Sequence, residues 1–408
     1  MPRCMTYLTR WLLGSLCAAQ LLGCSGGDGP ADDPVGGAGD LQPVDPPEVE
    51  APPAPGGTTY TFSGGDFKAA LEQLRPGDVL KISPGTYDLR VGKSAGIAPY
   101  LTPGTAAAPI LVTAADPNNW PHFRGQLVLN HPSYYIFKRL RVEGVVPASG
   151  QVPSSTVTVA GGSHWTLVNM EIWGAAATGS FANLAVSTET TPTHHWNPNG
   201  WRVIYSCIHD AGPGTAPGHD SVTDHNIYVN SEGTGPDGGL IARNIFYGAY
   251  NGSQIKIGAG GVVDAPSGNN ITISYNTMHH ATRHVVLFGY HTRDITLEGN
   301  LMKAAEGRSY DGAYRDGISL QQLAGSHTVN AHDNYVHDAD FAVGIHDLQT
   351  GAYAPPSPDT NRLYTTTESE PQFNTSGCGD GSPGAGPRDY VPADPTAARY
   401  GRYGSITW

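Results

Sequence analysis

The chain is poor in several things at once. Its 408 residues hold five cysteines, and 23 Lys plus Arg stand against 36 Asp plus Glu. The cysteine spacing suggests no metal site. From position 58 onward 21 basic residues face 29 acidic ones, a net charge of −8 that argues against nucleic acid as a partner. The longest apolar run, at 11–22, is too short to span a bilayer. Hairpin dipeptides between alternating strands are few, which argues against a propeller or a sandwich of antiparallel strands.

What the chain does have is repetition. Over about 156–347 one pattern recurs seven times: a short apolar-x-apolar strand, a loop, a second alternating strand, and a polar residue at a fixed offset. The first strands fall at 157–159, 184–186, 227–229, 255–257, 286–288, 318–320 and 343–345, starting 25 to 43 residues apart. The second strands end at Met170, Ser206, Asn244, Asn276, Asn300 and Asn334. Alternation over so few residues has period two and is too short for a helix. A strand with one apolar face must stack on another, and a repeat of this period stacks like on like. Asparagine tolerates left-handed backbone, and its amide can bond the same amide one rung away. The pattern predicts an all-β fold: a single-stranded right-handed parallel β-helix, wound from about 79 to 346.

The N-terminus reads as an address. Arg3 and Arg10 flank the start of the apolar run, and Leu21, Leu22, Gly23 and Cys24 follow it. That quartet resembles the lipobox of bacterial lipoproteins. The resemblance implies a signal peptide over 1–23, lipidation of Cys24, and a chain anchored to a membrane outside the cytoplasm, the outer membrane where the host has one. Residues 24–57 are Gly, Pro, Ala and acid, without Lys or Arg, and read as a solvated linker. The coil domain then covers 58–348 and an irregular tail 349–408. With Cys24 lipidated, Cys207 and Cys378 are left free to pair in an oxidising compartment. The chain is expected to act as a monomer.

At the domain's start, Asp66 can cap a helix whose stripe is Phe67, Ala70, Leu71 and Leu74, before Pro76 and Gly77 stop it. An open coil end would otherwise pair with another chain, so a capping helix is expected there. The turn and strand signals that follow, 75–89, resemble the N-terminal cap of polysaccharide lyases and related secreted β-helix proteins.

Registering the rungs turns sequence into columns. The middle residues of the first strands, Thr158, Ala185, Tyr228, Lys256, Leu287, Ser319 and Gly344, point outward, flanked by Asn230, Gln321 and His346. Just before these strands stand Asp224 with His225, Arg283 with His284, and Arg315 with Asp316. Rungs lie about 4.8 Å apart, so Tyr228, Lys256, Arg283, His225 and His284 are expected in one patch. Long loops before and after the strands wall it as a groove, and Trp196, Trp201, Tyr250 and Tyr290 suit stacking on sugar rings. The outward column His209, His279 and His337, interrupted by Tyr247 and Lys303, reads as structural.

Hydrolysis of a glycoside usually needs two carboxyl groups within about 10 Å. Asp224 and Asp316 stand three rungs apart, about 14 Å. The segments 224–229 and 254–258 look like the His and Lys motifs of polygalacturonases, but that family's acidic motifs are missing. Lys256 beside Arg283 resembles the Lys and Arg pair of chondroitinase B-type and alginate lyases. The resemblance implies β-elimination on an acidic, uronate-containing polysaccharide: Lys256 as base, Tyr228 or His225 as acid, Arg283 or Arg315 clamping the carboxylate. His284, Asn230, Gln321, Trp196 and Tyr290 would then bind substrate. It also allows a calcium ion, to which Asp220 and Asp224 are the acids on offer. The family's acidic ligands before the Lys are here Asn251, Gly252 and Ser253. Two other readings share the groove: C5 epimerisation of uronates, and glycan binding or adhesion without catalysis.

Overall fold

The computed structural model describes residues 56–89, 97–98, 100–145, 155–175, 182–190, 195–212, 224–231, 237–249, 252–258, 268–281, 284–289, 292–304, 316–322, 329–337, 339, 341–347, 353–354 and 362–364. The expected signal peptide, Cys24 and all but the last two residues of the expected linker therefore lie outside the described residues. Three ten-stranded sheets run through them. Each winding of the chain lays one strand in each sheet, which we call front, back and side. One winding contributes Ser155–Ala160, Thr166–Val168 and Glu171–Trp173; the next contributes Ala182–Ser187, Arg202–Ile204 and Cys207–Ala211. Like strands pair in parallel from winding to winding. This is a parallel β-helix, and its front register runs Val157, Leu184, Ile227, Ile255, Val286, Ile318 and Val343, the columns expected from the repeat.

The sheets reach past 79–346 at both ends. Thr59–Phe62 pairs in parallel with Val79–Ile82, and Arg362–Tyr364 with Tyr335–His337. The helix Phe67–Glu72 lies between the first two back strands. Asp66 accepts the Ala69 N–H at 3.2 Å, and Phe67, Leu71 and Leu74 join the core.

Inside the coil, alternate residues stack in dry columns. Val157, Leu184, Ile227 and Ile255 are all fully buried, each contributing about 1.5–3 kcal/mol through burial. The side sheet, which the sequence showed only as strand-ending tripeptides, supplies one inward residue per winding: Val142, Ile172, Ile208, Phe246, Met278 and Met302. Outward on that sheet, Cys207 is disulfide-bonded, to a partner outside the described residues.

Where the back sheet turns into the side sheet, three residues intervene at 83–85 and seven at 115–121, and two in every winding from the strand Tyr135–Lys138 onward. The first of them, from Asn169 through Tyr205, Arg243, Tyr275, Gly299 and Asp333, is left-handed, with φ between 50° and 63°. The second, Met170 and then from Ser206 onward a polar residue, is the slot at the fixed offset. Asn244 Nδ2 donates to the Val203 carbonyl at 2.8 Å and to Asn276 Oδ1 at 3.0 Å, and Asn276 Oδ1 also accepts the Asn244 N–H at 2.9 Å. The same bonds join Asn276 to Asn300 and Asn300 to Asn334. All four amides are fully buried, so each must be satisfied internally, and each is.

A second ladder, not apparent in the sequence, runs where the side sheet turns into the front. Asn183 Nδ2 donates to Asn226 Oδ1 at 2.8 Å and to the His209 carbonyl at 2.6 Å; Asn226 in turn donates to Gln254. It escaped notice because its residue type changes from rung to rung.

Candidate functional site

The inward columns hold the front strands flat, so their middle residues form one outward file. Thr158, Ala185, Tyr228, Lys256, Leu287, Ser319 and Gly344 follow one another in register. Lys256 Nζ lies over the Tyr228 ring, 5.1 Å from its centroid. An ammonium so placed is attracted to the ring face, by about 0.5–2 kcal/mol. Both side chains are half-buried.

Immediately before Tyr228 the chain turns inward. His225 is 1% exposed, its ring 5.9 Å from that of Tyr228, and its Nδ1 accepts the Ser253 N–H at 3.0 Å. A nitrogen that accepts in this way carries no proton, which places the ring's proton on Nε2. The close approach needs Gly252, because a Cβ there would stand 2.8 Å from that Nδ1. Asp224 is fully buried.

The structure thus brings Tyr228, Lys256, His225 and Asp224 together on two adjacent windings. Asn230 ends the same strand as Tyr228, with its side-chain oxygen buried and no hydrogen-bond partner among the described residues. His284 is half-buried and leads into Val286–Phe288, the strand stacked on that of Lys256. Gln321 falls opposite His346 in the front sheet. Trp196 lies away from this group, on the hairpin described below. Arg283, Arg315, Tyr290 and Asp220 lie outside the described residues.

Calcium does not fit the residues that can be described. No three His, Cys, Asp or Glu side chains among them gather to hold an ion. Gly252, Ser253 and Gln254, before Lys256, offer no carboxylate, so no step below runs through a metal.

The outward column of the side sheet is a stack. Trp173 lies flat on His209, centroids 5.7 Å and planes 3° apart, and His209 lies flat on Tyr247 at 4.5 Å and 9°. Glu171 bridges Arg141 at 2.5 Å and His209 at 3.4 Å, while Asp210 meets His209 Nδ1 at 2.9 Å. Burial opposes a charge on His209, yet the Asp210 and Glu171 carboxylates outweigh it and raise its affinity for a proton. Stacked rings turn their edges to solvent and their faces to one another.

One cluster was not read from the sequence. Beyond the front strand 182–187, a two-stranded hairpin pairs Glu189 with Trp196 and folds back over Gly161. A Cβ on Gly161, whose φ is +63°, would stand 2.9 Å from the Trp196 carbonyl oxygen. Trp196 meets Tyr100 edge-on at 5.5 Å and His131 at 5.0 Å. Tyr100 is 53% exposed and bonds Glu189; lost hydration and that carboxylate both strengthen its hold on its proton. Burial makes His131 a weaker base than usual, against the pull of Glu189. Tyr100 follows an irregular early strand, and nothing in the local pattern tied it to a residue some ninety positions on.

The strands define the class: this is a parallel β-helix protein. Its sequence matches no protein-family model and no curated protein. Among solved structures it is similar to an alginate lyase from Paenibacillus sp. str. FPU-7, at 15% identity over 70% of this chain and 97% of that one, with a TM-score of 0.41. It is also similar to a pectate lyase, at 16% identity over 68% of this chain and 80% of that one, TM-score 0.38. The GH87 α-1,3-glucanase of Streptomyces thermodiastaticus strain HF3-3 covers 76% of this chain with 50% of its own, at 16% identity and a TM-score of 0.40.

Proposed function

We propose that the protein cleaves an acidic, uronate-containing polysaccharide by β-elimination on the front face. The observation that carries this reading is the Lys256 side chain held over the ring of Tyr228, on adjacent strands of the front sheet. Elimination needs a base for the C5 proton, an acid for the leaving oxygen, and positive charge near the carboxylate. Lys256, as the neutral amine, takes the C5 proton, and the electrons of that bond form the C4–C5 double bond as the glycosidic C4–O bond breaks. Tyr228 gives its hydroxyl proton to the departing oxygen. His225, buried beneath, holds Tyr228 in place instead of meeting the substrate, and Arg283 and Arg315 are the candidates for the carboxylate clamp. The signal-like segment 1–23 and the lipobox-like quartet at 21–24 support a reaction outside the cytoplasm, on a chain anchored through Cys24.

The test is the ultraviolet absorbance of the unsaturated product with alginate, pectate, chondroitin and heparin. Wild-type protein should generate it on at least one polymer, and Lys256→Ala should lower the rate about 10²–10⁴-fold. Absence of the product on every polymer sinks the reading. Deuterium entering C5 without that absorbance points to epimerisation, and retention on a glycan column unchanged by Lys256→Ala points to binding alone.

A further inference from the structure

On either side of Lys256 and Tyr228 the front face differs. Toward the C-terminal windings its file continues with Leu287 and Ser319, which are 3% and 1% exposed. A substrate cannot lie on covered residues. Toward the N-terminal windings it continues with Ala185, Thr158 and Val128, small and half-buried. These form a strip of small side chains, without a charged one in the file, that runs from Tyr228 over the windings that also carry the hairpin with Trp196 and Glu189.

From the Tyr228 strand to the strand Ile97–Ala98, which precedes Tyr100, there are four steps, about 19 Å at the usual spacing. That distance holds several sugar rings. At the far end the chemistry changes from that around Lys256. Tyr100 offers an exposed ring, Trp196 braces it edge-on, and Glu189 holds its hydroxyl. No Lys or Arg is seen beside this cluster among the described residues, and His131, the base that touches it, is a weaker base than usual. Aromatic rings stack on the apolar face of a sugar, while Glu189 Oε2 is buried, so this carboxylate acts on a ligand through its charge. The same carboxylate repels a uronate.

We infer that the N-terminal arm of the front strip, ending at Tyr100, Trp196 and Glu189, binds uncharged sugar units. The polymer cleaved at Lys256 is therefore one that carries neutral sugars beside its uronates, and not a homopolymer of uronate. This inference rests on the β-elimination reading for where the uronate sits, while the arm's own preference is independent of catalysis.

Two measurements decide it. The first compares kcat and KM on polymers that alternate uronate with a neutral sugar against polyuronates. Wild-type protein should favour the alternating polymers by tenfold or more in kcat/KM. Tyr100→Ala should raise KM about tenfold more for the alternating polymer than for the polyuronate, and Tyr275→Ala, an exposed tyrosine on the opposite corner, should do neither. A tenfold preference for polyuronate overturns the inference. The second is affinity electrophoresis in gels holding soluble neutral β-glucan, β-mannan or β-galactan, which needs no turnover. Retardation by at least one, abolished in Tyr100→Ala, supports the arm even if every elimination assay is silent. Equal mobility of wild type and Tyr100→Ala in all three gels overturns it.

Discussion

Two corners of the coil solve the same problem in opposite ways. Between back and side sheets the chain turns in two residues from 139 onward, the first left-handed and the second, from Ser206, buried and polar, four of these being successive asparagines bonded to one another. Between front and back sheets the turn takes between four residues, at 289–292, and fourteen, at 188–201. A constant corner lets one neutral amide pair with its own copy. A variable corner cannot repeat, so each turn carries a particular solution: Asp237, 2% exposed, accepts Ser231 Oγ at 2.5 Å and the Asn269 N–H at 2.9 Å. Register is kept at the first corner, and room for chemistry is made at the second.

The contrast can be pressed experimentally. Asn276→Leu leaves the Ile241 carbonyl and the Asn244 N–H without the side-chain bonds that satisfy them and removes one of the two that Asn300 Oδ1 accepts from residue 276, and should cost about 4 kcal/mol in denaturant unfolding. A loss below about 1 kcal/mol would mean that the constant corner does not hold the register. At the variable corner, burial raises the Asp237 carboxyl to about 6, against the help of Ser231 and Asn269. Because the folded state binds this proton more tightly, its contribution is fully present below about pH 4 and is lost as pH rises through 6. The span corresponds to about 3 kcal/mol, and Asp237→Asn should flatten that part of the stability–pH curve. On the side sheet, Glu143 meets Arg124 at 2.8 Å near the surface, so Glu143→Ala should cost no more than about 1 kcal/mol, and less in high salt. Smallest of all, Ala185→Ser on the outward face of the front sheet should change unfolding by under about 0.5 kcal/mol, since no column depends on it.

The same contrast explains what could be read in advance. The front columns and the asparagine corner repeat residue types at fixed offsets, and the structure places Val157 over Leu184 and Asn276 over Asn300 accordingly. The helix was legible because Asp66 and its apolar stripe are local signals. The side strands were not, since one inward residue among three gives no period to detect. The ladder of Asn183, Asn226 and Gln254 hides behind changing identities. Within the site, Tyr228 and Lys256 could be paired because both lie on repeats. Tyr100 and Glu189 could not, because a hairpin that folds back over earlier windings follows no period.

The corner amides have one further property. From Asn244 to Asn334 each donates its Nδ2 hydrogen to the next oxygen in the same direction, and the last returns a hydrogen to the His332 carbonyl of its own winding at 3.0 Å. Aligned dipoles polarise one another, so the file is stronger as a whole than link by link. Fraying that begins at the Asn334 end would loosen each amide behind it in turn, which makes that terminus the place where this scaffold should begin to unzip.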